Sequence, residues 1–116
     1  MSAGATVVAA DEANFAKVVL AASRERWVMV DFWADWCSPC RALTPLLERV
    51  VPDYAPALQL VTVEVDENMR LAGRYQLRGF PTVILFRGGE EIGRFSGFKP
   101  EAWLREFIED AVVPTV

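Results

Sequence analysis

Hydrophobic and polar positions along this chain switch repeatedly between two spacings, and the switches outline its elements. Thr6–Ala9 is short and β-branched, which predicts an edge strand. Asp11 reads as an N-cap, and Phe15, Val18, Val19 and Ala22 then recur at the spacing of an amphipathic helix. Trp27–Ala34 (WVMVDFWA) is a nearly unbroken apolar run, the pattern of a central strand covered on both faces; Asp31 is the single charge within it. After Cys37, residues Leu43, Leu46, Leu47, Val50 and Val51 mark one side of a helix. Pro45 falls inside that helix and predicts a kink there, because the apolar pattern continues beyond it, while Pro52 and Pro56 bracket its end.

Leu58–Val65 alternates as a third strand, and Asp66 reads as the cap of a short helix through Met69, Leu71, Ala72 and Tyr75. Thr82–Phe86 and Glu91–Phe95 flank Gly88-Gly89, the signature of a β-hairpin. Pro100 reads as a first helical residue, followed by Trp103, Leu104, Phe107, Ile108 and Ala111 at helical spacing, and Val112–Val116 as a tail. The order βαβαβαββα places the chain in the α/β class. Alternating units imply parallel strands and the hairpin adds an antiparallel pair, so a central mixed sheet with helices on both faces is expected. No repeat or linker interrupts the chain, and residues 1–116 read as one domain.

Composition narrows the chemistry. The net charge is −4 with both signs interleaved, and without a Lys/Arg cluster there is no footprint for nucleic acid. No apolar run approaches the roughly 20 residues that cross a bilayer. The N-terminal stretch MSAGATVVAADEANF lacks a basic segment followed by a long apolar one, so it does not read as a signal peptide, and a reducing cytoplasm is the expected setting. The chain has two cysteines and no histidine. That is too few ligands for a structural zinc site, too few cysteines for a secreted disulfide scaffold, and it excludes cysteine–histidine hydrolysis.

The two cysteines stand in Trp36-Cys37-Ser38-Pro39-Cys40, directly after the buried-type strand and at the opening of a helix. Residues i and i+3 at a helix start bring their sulfurs within disulfide reach. The first sulfur lies near unpaired backbone N–H groups and the positive end of the helix dipole, both of which favour a thiolate. Cys37 therefore reads as the nucleophile. Cys40, one turn deeper, reads as the resolving thiol that closes the disulfide after Cys37 has attacked a substrate disulfide. A bare C-x-x-C also suits metal binding, but no other Cys or His is available to complete a site. Pro39 occupies an early helical position, where its missing N–H costs little.

Asp31 lies six residues before Cys37 on the same strand. Burial should raise its pKa. It reads either as the proton acceptor for Cys40 or as a buried carboxyl satisfied by a hydroxyl or water. Arg78-Gly79-Phe80-Pro81-Thr82 reads as a loop ending in a strand-initial proline, with a cis bond before Pro81 as the rarer option. Trp33 reads as core. Trp36 reads as an exposed contact residue or, again, as core.

Taken together these segments resemble the thioredoxin family over nearly the whole chain. VDFWADWCSPCRALTP is similar to that family's active-site strand, motif and helix, RGFPT to its cis-proline loop, and LFRGGEEIGRFSGF to its terminal hairpin. The resemblance implies a thioredoxin fold, with a five-stranded mixed sheet flanked by four helices, and the activity of a protein-disulfide reductase. It implies Cys37 as the attacking and Cys40 as the resolving cysteine, Asp31 as the buried proton-transfer carboxylate and Pro81 as a cis-proline facing the disulfide. Trp36, Pro39, Gly79, Phe80, Pro81 and Gly97 would form the substrate surface, with Gly79 and Phe80 offering backbone groups to an extended segment. It further implies disulfide-containing protein substrates, a monomer, no bound metal or cofactor, and electrons from NADPH through thioredoxin reductase.

Two departures stand out. Ser38-Pro39 replaces the usual Gly-Pro spacer, and Thr62 stands where the family commonly has a lysine near the buried carboxylate. Without that cation, desolvation should raise the Asp31 pKa further. Glu64, two residues on, is a candidate second carboxylate for the same neighbourhood. Two alternatives stand beside the reductase: a thiol oxidase or isomerase of higher potential, and a redox-independent binding or chaperone module.

Overall fold

The computed structural model describes residues 7–112. Its sheet has five strands: β1 (Val8–Ala9), β2 (Trp27–Trp33), β3 (Leu58–Glu64), β4 (Thr82–Arg87) and β5 (Glu90–Ser96). They lie in the order β1-β3-β2-β4-β5, with β1, β3 and β2 parallel and β2, β4 and β5 antiparallel. The expected mixed sheet is thus formed, with the apolar strand β2 at its centre. Thr6, at the start of the predicted edge strand, and residues 113–116 of the predicted tail lie outside the described residues.

Alternation along β2 divides the core. Val28, Val30 and Phe32 face a cluster with Phe15, Val19, Leu71 and Phe86. Met29 faces the opposite cluster, with Leu43, Leu47, Leu104 and Ile108. These side chains are fully or almost fully buried. Each contributes about 1.5–3 kcal/mol relative to an exposed position. On the second face pack α1 (Ser38–Val50) and α3 (Glu101–Val112); α2 (Met69–Arg74) brings Leu71 to the first. Helix α1 runs through Pro45, as the continuing apolar pattern required.

Four local readings are corrected. The first predicted helix is π-helical over Ala16–Ala21, the Ala22 N–H reaching back five residues to the Lys17 carbonyl, and continues as a 3₁₀ turn over Ala22–Arg24. Phe15 and Val19 are buried as predicted, while Val18 and Ala22 are half-buried and pack against the same core cluster. Asp11 does cap the entry: its Oδ1 accepts from the N–H groups of Ala13 and Asn14, both at 2.9 Å.

The second correction concerns Asp66, which lies in a 3₁₀ turn (Val65–Glu67) and does not cap α2. The preceding residue of that helix is Asn68, and the capping is long-range. Glu12 Oε2 accepts from the Arg70 N–H at 2.8 Å, while Asn68 Oδ1 accepts from the Glu12 N–H at 2.9 Å. Third, α3 begins at Glu101, so Pro100 precedes the helix and accepts from the Leu104 N–H at 3.0 Å through its carbonyl. Fourth, Val112 is the buried last residue of α3 and not part of a tail.

The hairpin turns at Gly88 and Gly89, whose φ angles of +66° and +81° are those of a tight turn open to glycine. Fully buried Ser23 anchors that turn. Its Oγ accepts from the Gly89 N–H at 2.8 Å, and its carbonyl accepts from the Gly88 N–H at 2.7 Å.

Candidate active site

Strand β2 ends at Trp33, and Ala34–Trp36 carry the chain to Cys37, the N-cap of α1. An N-cap side chain faces the N–H groups that the first helical turn leaves unpaired. Here the cap is a sulfur: Cys37 Sγ accepts from the Cys40 N–H at 3.2 Å. Cys37 and Cys40 are joined by a disulfide with their Cα atoms 5.3 Å apart. Pro39 lies in the first turn, where no N–H is required of it. Both cysteines are buried, Cys37 at 4 % exposure and Cys40 at 1 %, while Ser38 and Pro39 between them are exposed.

Trp36 is 62 % exposed, which leaves it outside the core. Its indole is nevertheless held. Nε1 donates to Asp66 Oδ2 at 3.0 Å, and the ring meets Phe80 edge-on with centroids 5.7 Å apart. Asp66, misread as a helix cap, is thus a support for this tryptophan. Phe80 also packs against the core cluster that contains both cysteines. The peptide bond between Phe80 and Pro81 is cis, as is that between Ala55 and Pro56. The Pro81 carbonyl accepts from the Gly97 N–H at 2.8 Å, which ties the start of β4 to the end of β5. Gly97 has φ +87°, and a Cβ at Gly79 would meet nothing within 4 Å. The predicted residues Trp36, Phe80, Pro81 and Gly97 therefore form one connected rim, although they come from three separate stretches of sequence. Trp33, read as core, is half-buried: it packs against the core cluster and also lines a cleft.

Asp31 is completely buried beneath α1. Thr44, one turn beyond Cys40, donates its hydroxyl to Asp31 Oδ2 at 2.5 Å. The other oxygen, Oδ1, is buried without a hydrogen-bond partner. Burial pushes the Asp31 pKa up to about 6; the Thr44 hydroxyl opposes the shift and the charge of Glu48 adds to it. The direction is the one read from sequence. The second carboxylate is not Glu64, whose Oε1 accepts from the Glu67 N–H at 2.9 Å, but Glu48 on α1. Thr62 pairs with Asp31 in the register of β3 on β2.

Sequence reasoning passed over Thr44. The available signal was its position four residues after Cys40, which on a helix is the same face one turn on. Beside it lies a cleft of about 270 Å³ lined by Trp33, Ala34, Asp35, Cys40, Arg41, Thr44 and Pro45. Among the described residues, no group of three or more His, Cys, Asp or Glu side chains is arranged to hold a metal ion. A bonded sulfur pair at a helix N-terminus, with a carboxyl of raised pKa under the same helix, is equipped to exchange a disulfide and to handle the proton involved.

Comparison with known proteins agrees with this geometry. The family model described as Thioredoxin matches residues 6–110. Over 111 residues the chain is 37 % identical to the bifunctional thioredoxin reductase/thioredoxin of Mycobacterium leprae, covering 96 % of this chain and 24 % of that protein. It is 38 % identical over 103 residues to the chloroplastic M-type thioredoxin of Zea mays, covering 89 % of this chain and 60 % of that one. With the thioredoxin of Staphylococcus saprophyticus it shares 40 % identity over 81 residues, which is 70 % of this chain and 78 % of that one. The chain thus spans about a quarter of the first relative and three fifths of the second. The match along almost all of its length, on a five-stranded mixed sheet that presents a Cys37–Cys40 disulfide, makes this chain a member of the thioredoxin family.

Proposed function

We propose that this chain is a protein-disulfide reductase that works by dithiol–disulfide exchange through Cys37 and Cys40 and is returned to the dithiol by a thioredoxin reductase. The observation that carries the reading is the Cys37–Cys40 disulfide capping the N-terminus of α1. In the reduced protein the Cys37 thiolate faces the unpaired N–H groups of that helix and attacks a substrate disulfide. One substrate sulfur leaves as a thiol and the other becomes bonded to Cys37. Cys40 then loses its proton to Asp31 and attacks Cys37 Sγ. The Cys37–Cys40 bond forms, the bond to substrate breaks, and the second substrate sulfur departs reduced. The reductase supplies two electrons from NADPH to restore both thiols, so the chain needs no cofactor of its own.

Substrates are disulfide-containing proteins that lie against Trp36, Pro39, Phe80, Pro81 and Gly97. Gly79, beside which a side chain would meet nothing within 4 Å, leaves room for an extended segment to pair with Gly79 and Phe80 in strand-like fashion. The contact of Trp36 with Phe80 and the bond from Gly97 to Pro81 support one continuous surface. A reductase partner is supported by the Mycobacterium leprae relative, whose name joins thioredoxin reductase and thioredoxin in one protein. No helix among the described residues is long and apolar enough to cross a membrane. A monomer in the reducing cytoplasm is the setting this chemistry fits.

The test is reduction of insulin disulfides with NADPH and a thioredoxin reductase. Sustained turnover, its loss in Cys37→Ser, and a trapped mixed disulfide with substrate in Cys40→Ser are the expected results. Absence of turnover with a reductase that reduces the chain's own disulfide would overturn the reading in favour of an oxidase or isomerase. A Cys37→Ser variant that keeps the biological activity would establish a binding module instead.

A further inference from the structure

Helix α1 carries a hydroxyl that the exchange chemistry above does not use. Thr44 touches two features: the buried Asp31 carboxyl, to which it donates, and the cleft beside Cys40, whose wall it forms with Trp33, Asp35, Arg41 and Pro45. Asp35, Arg41 and Pro45 are exposed, so the cleft opens to solvent. Asp31 itself is sealed, with 0 % exposure.

We propose that Thr44 is a positioning residue for the resolving step, holding the Asp31 carboxyl beneath α1 and linking it to the cleft through which its proton leaves. This rests on the reading of Asp31 as proton acceptor for Cys40 and deepens it.

The argument is one of hydrogen-bond capacity. An ionised carboxylate only accepts, and a protonated carboxyl must also donate. A lysine beside it would serve the ionised form alone, since an ammonium only donates. A hydroxyl serves both forms. It donates to Asp31 Oδ2 while the group is ionised, and it accepts from the carboxyl O–H once Cys40 has given up its proton, its own hydrogen then turning toward the cleft. The proton taken from Cys40 thus rests on Asp31 and passes to solvent water at the cleft through Thr44, and the Cys40 electron pair forms the new S–S bond.

Among the described residues, Thr44 alone donates to Asp31, whose other oxygen has no hydrogen-bond partner, and no cation stands beside it. From β3 the registered neighbour is the neutral Thr62, from β4 it is Val83, and α3 contributes Leu104 and Ile108. On α1 the remaining charge that acts on Asp31 is Glu48, which opposes ionisation. Thr44 is therefore the group on which the ionised form depends.

The experiment compares Thr44→Val and Thr44→Ser in the full chain. Stopped-flow fluorescence follows resolution of a preformed mixed disulfide on Cys37 between pH 5 and 9, and carboxyl NMR follows Asp31. Thr44→Val is expected to slow resolution about tenfold near pH 7, the size of a lost hydrogen bond to a charged group. It is expected to move both the Asp31 midpoint and the pH profile upward by about one unit. Thr44→Ser restores both. Thr44→Ala repeats the test without placing a methyl against the carboxyl. If Thr44→Val and Thr44→Ala resolve at the wild-type rate with the Asp31 midpoint unmoved, the proposal is overturned. Asp31→Asn separates the two levels. Should that variant resolve normally, the proton-acceptor reading fails and takes this one with it; should it be slow while Thr44→Val is not, only the role of Thr44 fails.

Discussion

Asp31 and Thr62 stand side by side in register on β2 and β3, and the neighbour brings no charge to a carboxyl that is wholly buried. Desolvation therefore acts on Asp31 with only the Thr44 hydroxyl against it, and the group titrates near 6. Thr62 is half-buried and borders a second cleft with Trp33 and Glu64, so a longer side chain has room to reach outward. Replacing Thr62 with Lys should place a cation on the same face of the sheet as Asp31. The expected outcome is a fall in the Asp31 midpoint of about one unit, measured by carboxyl NMR, since a nearby opposite charge favours the ionised form. An unmoved midpoint would mean that the ammonium is drawn instead toward Glu64 and solvent.

The raised pKa of Asp31 has a consequence for stability, and its sign is opposite to that of a salt-bridged carboxylate. The ordinary value is 3.8 and the folded value about 6, so between these limits the folded state binds more protons than the unfolded state. Stability is fully present below pH 4, falls as the pH rises through 6, and stays lower above it. The difference is worth about 3 kcal/mol. Asp31→Asn should remove this dependence. Urea unfolding at pH 4 and at pH 7.5 should show the variant gaining about 2 kcal/mol on the wild type between the two conditions, since the cost of the buried amide is the same at both and cancels. A constant difference between the two proteins at both pH values would contradict the burial argument.

Trp36 is an exposed aromatic held at both ends, by Asp66 through its indole N–H and by Phe80 against its ring. Fixing such a side chain before a substrate arrives removes an ordering cost from binding. Asp66→Ala should therefore raise KM for a protein disulfide about threefold, with kcat little changed, and should broaden the Trp36 fluorescence lifetime distribution. Because the bond is at the surface, the expected loss of stability is below about 1 kcal/mol. Steady-state insulin reduction and thermal unfolding check the two parts separately.

The reading of the motif and of the apolar strand from sequence needed no tertiary information. Cys37 and Cys40 are three residues apart, and the helix that follows them announces itself through Leu43, Leu47 and Val50. By contrast, the π-helical turn at Ala16–Ala21 was illegible, because one extra residue in a turn changes which carbonyl each N–H reaches without changing the apolar content. Asp66 was misread for a related reason. An acidic residue before an apolar stretch has the composition of a cap, yet the cap of α2 comes from Glu12, which is remote in sequence.

By itself the sequence determined the order of elements, the burial of β2 on both faces and the placing of two sulfurs at a helix start. These depend on periodicity and on covalent spacing over a few residues. The tertiary structure decided which side chains complete the site. Thr44 reaches Asp31 across 13 residues, Asp66 reaches Trp36 across 30, and Gly97 reaches the Pro81 carbonyl from the far end of a hairpin. Those partners follow from the angle at which α1 crosses β2 and from the register of β4 on β5. Both are set by the packing of the whole core, and no local pattern encodes them.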